Sequence, residues 1–238
     1  MPSISIAGFD VEIVRKDIKH LHLGVYPPDG HVRVSAPFRI NDEAVRLAVI
    51  EKLSWVKRQR EAFFEQERQS ARECVSRESH YYFGRRYLLE LIEGQGPARV
   101  KIQRKTRLAL IVPPNSDVQR RDEALNRWYR RELKAVLPSI IERWERQLGV
   151  TVAFWGVRRM KTKWGSCNPK AARIWVNLEL AKKPIQCLDY IVLHEMVHLI
   201  ERKHGDEFRK LMDHSLPQWR LIRDELNSAP LAHETWSY

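Results

Sequence analysis

Hydrophobic and polar residues alternate along most of the first 36 residues. The apolar positions recur at every second residue, at Val11 and Ile13, at Leu21, Leu23 and Val25, and at Val32, Val34 and Ala36. A period of two is typical of strands with one buried face. Residues 27–30 have turn chemistry, so the last two of these strands are predicted to form a hairpin.

After residue 40 the apolar positions recur at helical spacing instead. Asn41 or Asp42 suits the N-terminus of a helix, because a short polar side chain there accepts a hydrogen bond from the first turn. The predicted helix reaches about Gln69, and its buried stripe contains Val45, Val49, Leu53 and Val56.

The middle of the chain predicts a second β-rich block and a second long helix. The strands are expected at residues 81–93, 99–103 and 107–112. Residues 113–117 are the best linker candidate, and a cap at residue 116 or 117 starts a helix that ends near Leu148. Pro138 is expected to kink or split that helix, because proline lacks the amide donor of a helix interior.

The C-terminal part of the chain mixes short strands with helices. A strand is predicted at residues 150–157, and a strand, turn and returning strand at residues 160–178. Pro184 suits the first position of a helix, so the next helix is predicted from there to about Ile200. Shorter helices are expected at residues 206–213 and 217–227.

These elements together predict an α+β fold. We divide it into a β-rich region with one long helix, residues 1–115, and a second domain, residues 116–238. No apolar run approaches the ~20 residues that cross a bilayer, so no membrane partner is expected. The N-terminus lacks the pattern of a signal peptide. The three scattered cysteines argue against a disulfide framework, and we expect a soluble, cytoplasmic protein.

The apolar helix predicted after Pro184 carries the polar motif His194-Glu195-x-x-His198. Residues four apart lie on one face of a helix, so the two imidazoles point the same way. Two neutral imidazoles held like this can bind one zinc ion, and Glu195 lies where it can take a proton from water. Buried histidines and carboxylates are costly unless they are paired or coordinated. The motif therefore predicts one zinc per chain, with Glu195 as general base.

A third metal ligand is expected from the residues downstream. His204 can reach the same ion only if the helix ends near residues 201–203 and the chain turns back. Gly205 tolerates the left-handed backbone angles that can help such a turn. The alternative third ligands are His214, Glu207 and Glu225.

The chain carries a formal net charge of +12 at pH 7, which favours polyanionic partners such as a nucleotide or nucleic acid. Its basic residues are widely spread, but one group directly precedes Trp164 and consists of Arg158, Arg159, Lys161 and Lys163. Arg158, Lys163 and Trp164 are therefore candidates for substrate binding. Arg158, Lys163 and His214 are also candidates to stabilise a developing oxyanion.

Residues 158–167 read Arg-Arg-Met-Lys-Thr-Lys-Trp-Gly-Ser-Cys, and Asn177, the His-Glu-x-x-His motif, His204 and Phe208 follow. This combination resembles the YgjP-like metallopeptidase family and, more distantly, the minimal zincin-fold proteases of the WLM and SprT-like groups. The likeness is tight over roughly residues 158–212. It is looser at residues 82–88, which resemble a Tyr-x-Gly-x-x-Tyr element of the family. Arg209 departs from the pattern, because family members usually carry Trp there.

The resemblance implies a zincin-like core in residues 116–238. Such a core has a small twisted sheet, a helix with the first two histidines, and an edge strand that can pair with an extended peptide. Residues 173–178 are our candidate for that edge strand. Asn177 is a further candidate for substrate binding, and Asn177 and Asp189 are possible hydrogen-bond partners of the ligand histidines. We interpret Cys167 as a small buried thiol rather than a ligand.

Three functions fit these features. The first is a peptidase, in which zinc-activated water attacks a peptide bond with Glu195 as general base. The second is a nucleotide pyrophosphatase of the UTP type, which some YgjP-like proteins are assigned to be and which the basic residues before Trp164 would suit. The third is a nucleic-acid-associated protein whose hydrolase site is secondary.

Overall fold

The computed structural model describes residues 3–26, 30–65, 73–160 and 163–228, apart from the side chains of residues 62–65 and 228. Its helices and strands confirm the predicted α+β class. Contacts between residues divide the chain into two compact units, one mainly within residues 1–71 and the other in residues 72–229. In the described ranges every helix is too short or too polar to cross a lipid bilayer. The cytoplasmic location stays a prediction.

The first unit contains a mixed sheet of the order β1-β2-β4-β3. Its strands are β1 (Ser3–Ile6), β2 (Phe9–Lys16), β3 (His22–Tyr26) and β4 (His31–Pro37). The antiparallel pairing of β3 with β4 confirms the predicted hairpin, although residues 27–29 of its turn lie outside the described residues. On β2, the Glu12 carboxylate accepts hydrogen bonds from two β4 side chains, His31 at 2.8 Å and Arg33 at 2.6 Å.

Two helices follow where the sequence predicted one. The first helix, α1 (Asp42–Glu51), begins as predicted, because the Asn41 side chain accepts a hydrogen bond from the Ala44 amide at 2.9 Å. The amide of Lys52 donates to the Val49 carbonyl, a tighter turn than an α-helix makes, and α2 (Leu53–Glu65) starts after it. The predicted residues 66–69 of the helix lie outside the described residues.

The second unit begins with a sheet of the order β5-β6-β8-β7. Its strands are β5 (Ser79–Tyr82), β6 (Arg85–Glu93), β7 (Arg99–Gln103) and β8 (Arg107–Val112). The segment predicted as one strand over residues 81–93 is divided by a tight turn. Phe83 and Gly84 form that turn, with φ values of 43° and 77° in the left-handed region.

The long helix α3 (Val118–Leu148) starts and ends where the sequence predicts. The Asp117 side chain accepts a hydrogen bond from the Arg120 amide at 2.7 Å, and Gly149 ends the helix at a φ of 67°. The sequence predicted that Pro138 would kink or split this helix. The helix is not split there, because α3 continues through Pro138. Its neighbours Leu137 and Ile141 are buried in the core, and this packing favours an uninterrupted helix.

The core of the second unit contains residues from both sides of the predicted division after residue 115. Leu108 and Leu110 of β8 pack in the same hydrophobic cluster as Leu125 and Leu133 of α3. The boundary between the compact units along the chain therefore lies near residue 71, whereas the predicted division lies after residue 115. Residues 116–238 as a separate functional domain stay a prediction.

A second sheet of this unit has the order β10-β11-β9. Its strands are β9 (Phe154–Arg158), β10 (Gly165–Asn168) and β11 (Arg173–Asn177). The central strand β11 pairs with β9 in parallel and with β10 in an antiparallel manner. The prediction of residues 173–178 as an edge strand is therefore wrong, and β10 lies at the edge.

Three helices complete the second unit, α4 (Ile185–Val197), α5 (Asp206–Ser215) and α6 (Trp219–Ser228). Most side chains of α4 are buried, as its apolar sequence predicts. This helix contacts α3, α5, α6 and the strands β10 and β11, so it lies at the centre of the unit.

Candidate metal centre

His194 lies in the last turn of α4, and His198 directly follows the helix on the same face. Their ring centroids are 5.0 Å apart, as the spacing of four residues predicts. The helix ends at Val197, and the Nδ1 of His198 lies 3.1 Å from the Glu201 carbonyl oxygen. An N–H at Nδ1 donates to that carbonyl, which leaves Nε2 of His198 with a free lone pair.

The chain then reverses and brings His204 to the same place. The ring of His204 lies 4.9 Å from that of His194 and 4.6 Å from that of His198, between centroids. Phe208 of α5 is 2% exposed and contacts all three rings. Gly205 has a φ of −78°, so the predicted left-handed angle is not what makes the turn.

These three imidazoles fit a metal ion. One ring nitrogen from each of them lies within 4.8 Å of the other two, and the Nε2 atoms of His194 and His204 are 3.0 Å apart. A tetrahedral ion with bonds of about 2.0–2.1 Å holds two nitrogen ligands about 3.3 Å apart. Burial, together with the charges of His198 and His204, lowers the pKa of His194 to about 3, and burial also lowers that of His198. Both rings are thus neutral at pH 7, the form that binds metals.

Glu195 lies beside this cluster and is 6% exposed. Burial raises the pKa of its carboxyl group to about 7, and the positive charge of Lys163 acts in the opposite direction. The strand β10 passes directly against it. A Cβ atom added to Gly165 would lie 2.6 Å from Oε1 and 2.7 Å from Cγ of Glu195. Glycine is the only residue at position 165 that lets the Glu195 carboxylate stay where it is, because every other residue has a Cβ atom.

The sequence analysis did not identify this role of Gly165. The signal was present, because a glycine inside a predicted strand often marks the close approach of another group. It also missed Arg202 and Arg223, which line the same cleft. Their side chains carry no local pattern that distinguishes them from the many other arginines of the chain.

A cleft of about 620 Å³ opens over the three histidines and Glu195. Lys163 and Trp164, two of the predicted substrate-binding residues, line it, and so does Cys167. Their role in substrate binding stays a prediction. Burial, reinforced by the charge of Glu195, raises the pKa of the Cys167 thiol to about 11, so this side chain is a neutral thiol at pH 7.

Two of the predicted substrate-binding residues do not line the cleft. Arg158 lies over the Trp175 ring at 4.9 Å and donates to the Ser166 hydroxyl at 3.3 Å. The side chain of Asn177 is 4% exposed and bonds backbone groups of Met160, Lys163 and Glu179. It links Met160 and Lys163, which precede β10, to the end of β11. Lys161, another residue of the basic group, lies outside the described residues.

The other candidate ligands and partners lie elsewhere. Asp189 accepts hydrogen bonds from Arg143 and Trp144 of α3, so it links two helices instead of orienting a histidine. Glu207 pairs with Lys210, and Glu225 accepts from Gln186. His214 does not line the cleft, and Lys163 is the oxyanion candidate that does.

The edge strand β10 offers backbone groups to the cleft. The Asn177 amide donates to the Trp164 carbonyl at 2.9 Å, and Gly165 stands opposite Val176 in the ladder. Residue pairs of an antiparallel ladder alternate between bonded and non-bonded. The N–H and C=O groups of Gly165 and Cys167 therefore point away from β11, towards the open edge of the sheet.

The sequence of the chain matches a known protein family. A model of the YgjP-like family, described as a metallopeptidase domain, matches residues 20–229. The chain belongs to the YgjP-like metallopeptidase family. Membership makes this YgjP-like protein a metal-dependent hydrolase, as the sequence predicted. No curated protein matches the chain.

Two solved structures resemble a part of the YgjP-like protein. One is the metallopeptidase zymogen abylysin of Pyrococcus abyssi, with 19% identity and a TM-score of 0.36 over 38% of this chain and 91% of that one. The other is the metallopeptidase zymogen jannalysin of Methanocaldococcus jannaschii, with 21% identity and a TM-score of 0.34 over 37% of this chain and 91% of that one.

Proposed function

We propose that this YgjP-like protein is a zinc-dependent peptidase. His194, His198 and His204 hold one zinc ion, and Glu195 is the general base. The observation that carries this proposal is the convergence of three imidazole nitrogens beside a buried carboxylate in one cleft. The donor set favours zinc, because three imidazole ligands in one cluster leave one tetrahedral position open.

The side chains have distinct roles in this reaction. Zinc, when bound, lowers the pKa of a water molecule to about 7 and polarises a carbonyl group. The Glu195 carboxylate accepts a proton from the attacking water and then delivers it to the leaving amine. Gly165 keeps that carboxylate beside the histidines, because its missing side chain leaves the space that Oε1 and Cγ occupy. Lys163 lines the cleft and supplies positive charge beside the carbonyl oxygen.

An extended peptide would bind along β10. The outward N–H and C=O groups of Gly165 and Cys167 are spaced like those of any strand edge, so they can pair with a peptide backbone. This mode of binding reads little sequence, because its hydrogen bonds come from the main chain. It also brings a peptide bond close to Glu195, which contacts Gly165 directly.

The proposal is tested by replacing Glu195 with Gln in zinc-loaded protein. We expect turnover of a casein-like protein to fall about 10²–10⁴-fold, the usual contribution of a general base, while the zinc content stays unchanged. Glu207→Gln is the matched control, since Glu207 is an exposed carboxylate of α5 that pairs with Lys210. Unchanged turnover by the Glu195→Gln variant would show that the activity does not arise at this site.

The pyrophosphatase alternative is tested with the same preparations. Nucleoside triphosphates replace the protein substrate, and released pyrophosphate is measured. If the wild-type protein hydrolyses nucleotides but not peptides, and Glu195→Gln abolishes this, the site is a pyrophosphatase and the peptidase proposal is wrong. Contact with nucleic acid through the basic surface stays a prediction, tested by salt-dependent DNA binding.

A further inference from the structure

The charged side chains that line the cleft are nearly all positive. Lys163, Arg202 and Arg223 contribute cations, and Glu195 is the carboxylate among the lining residues. Glu195 is committed to proton transfer in the proposed function. A bound divalent ion would add charge of the same sign as the cations. A ligand in this cleft therefore experiences a positive field, which the chain's net charge of +12 reinforces at long range.

Among the described residues, two of these cations form no salt bridge with a carboxylate, although the charge of Lys163 does act on Glu195 within the cleft. Within the described ranges of the chain, Lys163 and Arg202 form no ion pair, whereas Arg223 pairs with Asp224 at 2.8 Å. Lys163 and Arg202 are also exposed, so a ligand can reach them. Unpaired cations that line a cleft favour anionic ligands, since each like-charged contact costs binding free energy.

The two unpaired cations reach the cleft from different elements. Lys163 lies two residues before Gly165, which begins the edge strand that a peptide would follow, and the charge of Lys163 acts on Glu195. Arg202 lies in the reversal between His198 and His204. A peptide laid along β10 and over the histidines would thus meet one cation on the strand side and one on the side of the reversal.

We infer that the substrate of this cleft is an acidic peptide, with Asp or Glu side chains close to the scissile bond, and that Lys163 and Arg202 select it. This inference rests on the proposed peptidase function and names its substrate class. Backbone pairing along β10 reads no side chains, so these two cations supply the selectivity that pairing does not.

The test measures binding separately from cleavage. Fluorescein-labelled acidic and basic peptides of equal length are titrated, by anisotropy, into zinc-loaded protein that carries Glu195→Gln and therefore leaves the peptides intact. An exposed ion pair changes an equilibrium by about fivefold at most, so two of them predict about tenfold tighter binding of the acidic peptide at low salt. The preference should shrink in about 1 M salt, where the Debye length is about 3 Å.

Charge reversal identifies the residue that carries the preference. Arg202→Glu should lower the ratio of acidic to basic affinity about tenfold, because it replaces an attraction with a repulsion. Lys203→Glu is the matched control. It makes the same change of charge at the next position, whose exposed side chain is not among those lining the cleft, and the ratio should stay within about twofold.

Equal affinity for the two peptides would overturn the inference, as would equal effects of Arg202→Glu and Lys203→Glu. Tighter binding of a nucleoside triphosphate than of the acidic peptide, lost in Arg202→Glu, would also overturn it, since the anionic ligand would then be a nucleotide. If the binding preference holds but wild-type protein cleaves neither peptide, the proposed peptidase function fails while the preference of the cleft for acidic peptides stands.

Discussion

Replacing Gly165 with Ala tests the arrangement of the proposed catalytic carboxylate, Glu195, without changing any of the three proposed metal ligands. The added methyl group would lie 2.6 Å from Oε1, 2.7 Å from Cγ and 2.9 Å from Cδ of Glu195. Non-bonded atoms prefer separations of about 3.5–4.0 Å, so the carboxylate must move by roughly 1 Å. All three distances involve the same side chain, and β10 is held by its pairing with β11. Glu195 is therefore the group that yields.

A displacement of this size has a predictable effect on the rate. Misplacing a reacting group by about 1 Å costs about 10²-fold in rate. We therefore expect Gly165→Ala to lower kcat about 10²-fold, equivalent to about 2.7 kcal/mol of transition-state stabilisation. The loss should not exceed that of Glu195→Gln, since displacement cannot remove more than the whole contribution of the base.

The assay is steady-state hydrolysis of a peptide, with zinc content and thermal unfolding measured on the same preparation. Gly205→Ala serves as control, because Gly205 has a negative φ and no atom within 4 Å of the added Cβ. The reasoning is refuted if Gly165→Ala retains zinc and wild-type kcat. A loss of kcat in the double variant Gly165→Ala, Glu195→Gln beyond that of Glu195→Gln alone would show that glycine acts through something other than this carboxylate.

Three further predictions follow from the described contacts. His204→Ala should lose zinc at concentrations that saturate the wild type, whereas His214→Ala should keep one zinc per chain, as metal analysis after dialysis would reveal. Asp189→Ala should destabilise the fold by about 1–3 kcal/mol in chemical denaturation, because the indole N–H of Trp144 loses its acceptor, and should retain zinc; loss of zinc would make Asp189 a partner of the site. Burial acts to raise the pKa of Glu12, but hydrogen bonds from two β4 side chains outweigh it and lower the pKa below 4.5. A carboxyl group whose pKa is lower in the folded than in the unfolded protein stabilises the fold at pH values above its unfolded pKa. Glu12→Gln should therefore lower the free energy of unfolding by less than about 1 kcal/mol at pH 7, and should not change it at pH values below the folded pKa. An equal loss of stability at every pH would contradict this.

Local signals gave reliable expectations for the helices around the site. Asp117 and Gly149 bound α3 as predicted, and the apolar sequence around His194 predicted a buried helix. The spacing of His194 and His198 placed both rings on one face. These features depend on hydrogen bonds and periodicity within a few residues, which a single sequence displays directly.

The order of the strands could not be predicted in the same way. The apolar residues of β11 suit a central strand as well as an edge, and β10 becomes the edge only through its pairing with β11. The division of the chain is also set by long-range contacts, since Leu108 and Leu133 share one core although a linker-like segment separates them. Pro138 is a local signal that the surrounding packing overrides.

The most direct test of the metal centre is elemental analysis of the purified protein after equilibration with zinc and dialysis. One zinc per chain in the wild type, and less than about a tenth of this in His194→Ala and in His198→Ala, is the result we expect. No stoichiometric metal in the wild type, or zinc that persists when both histidines are replaced, would contradict a metal site at His194, His198 and His204.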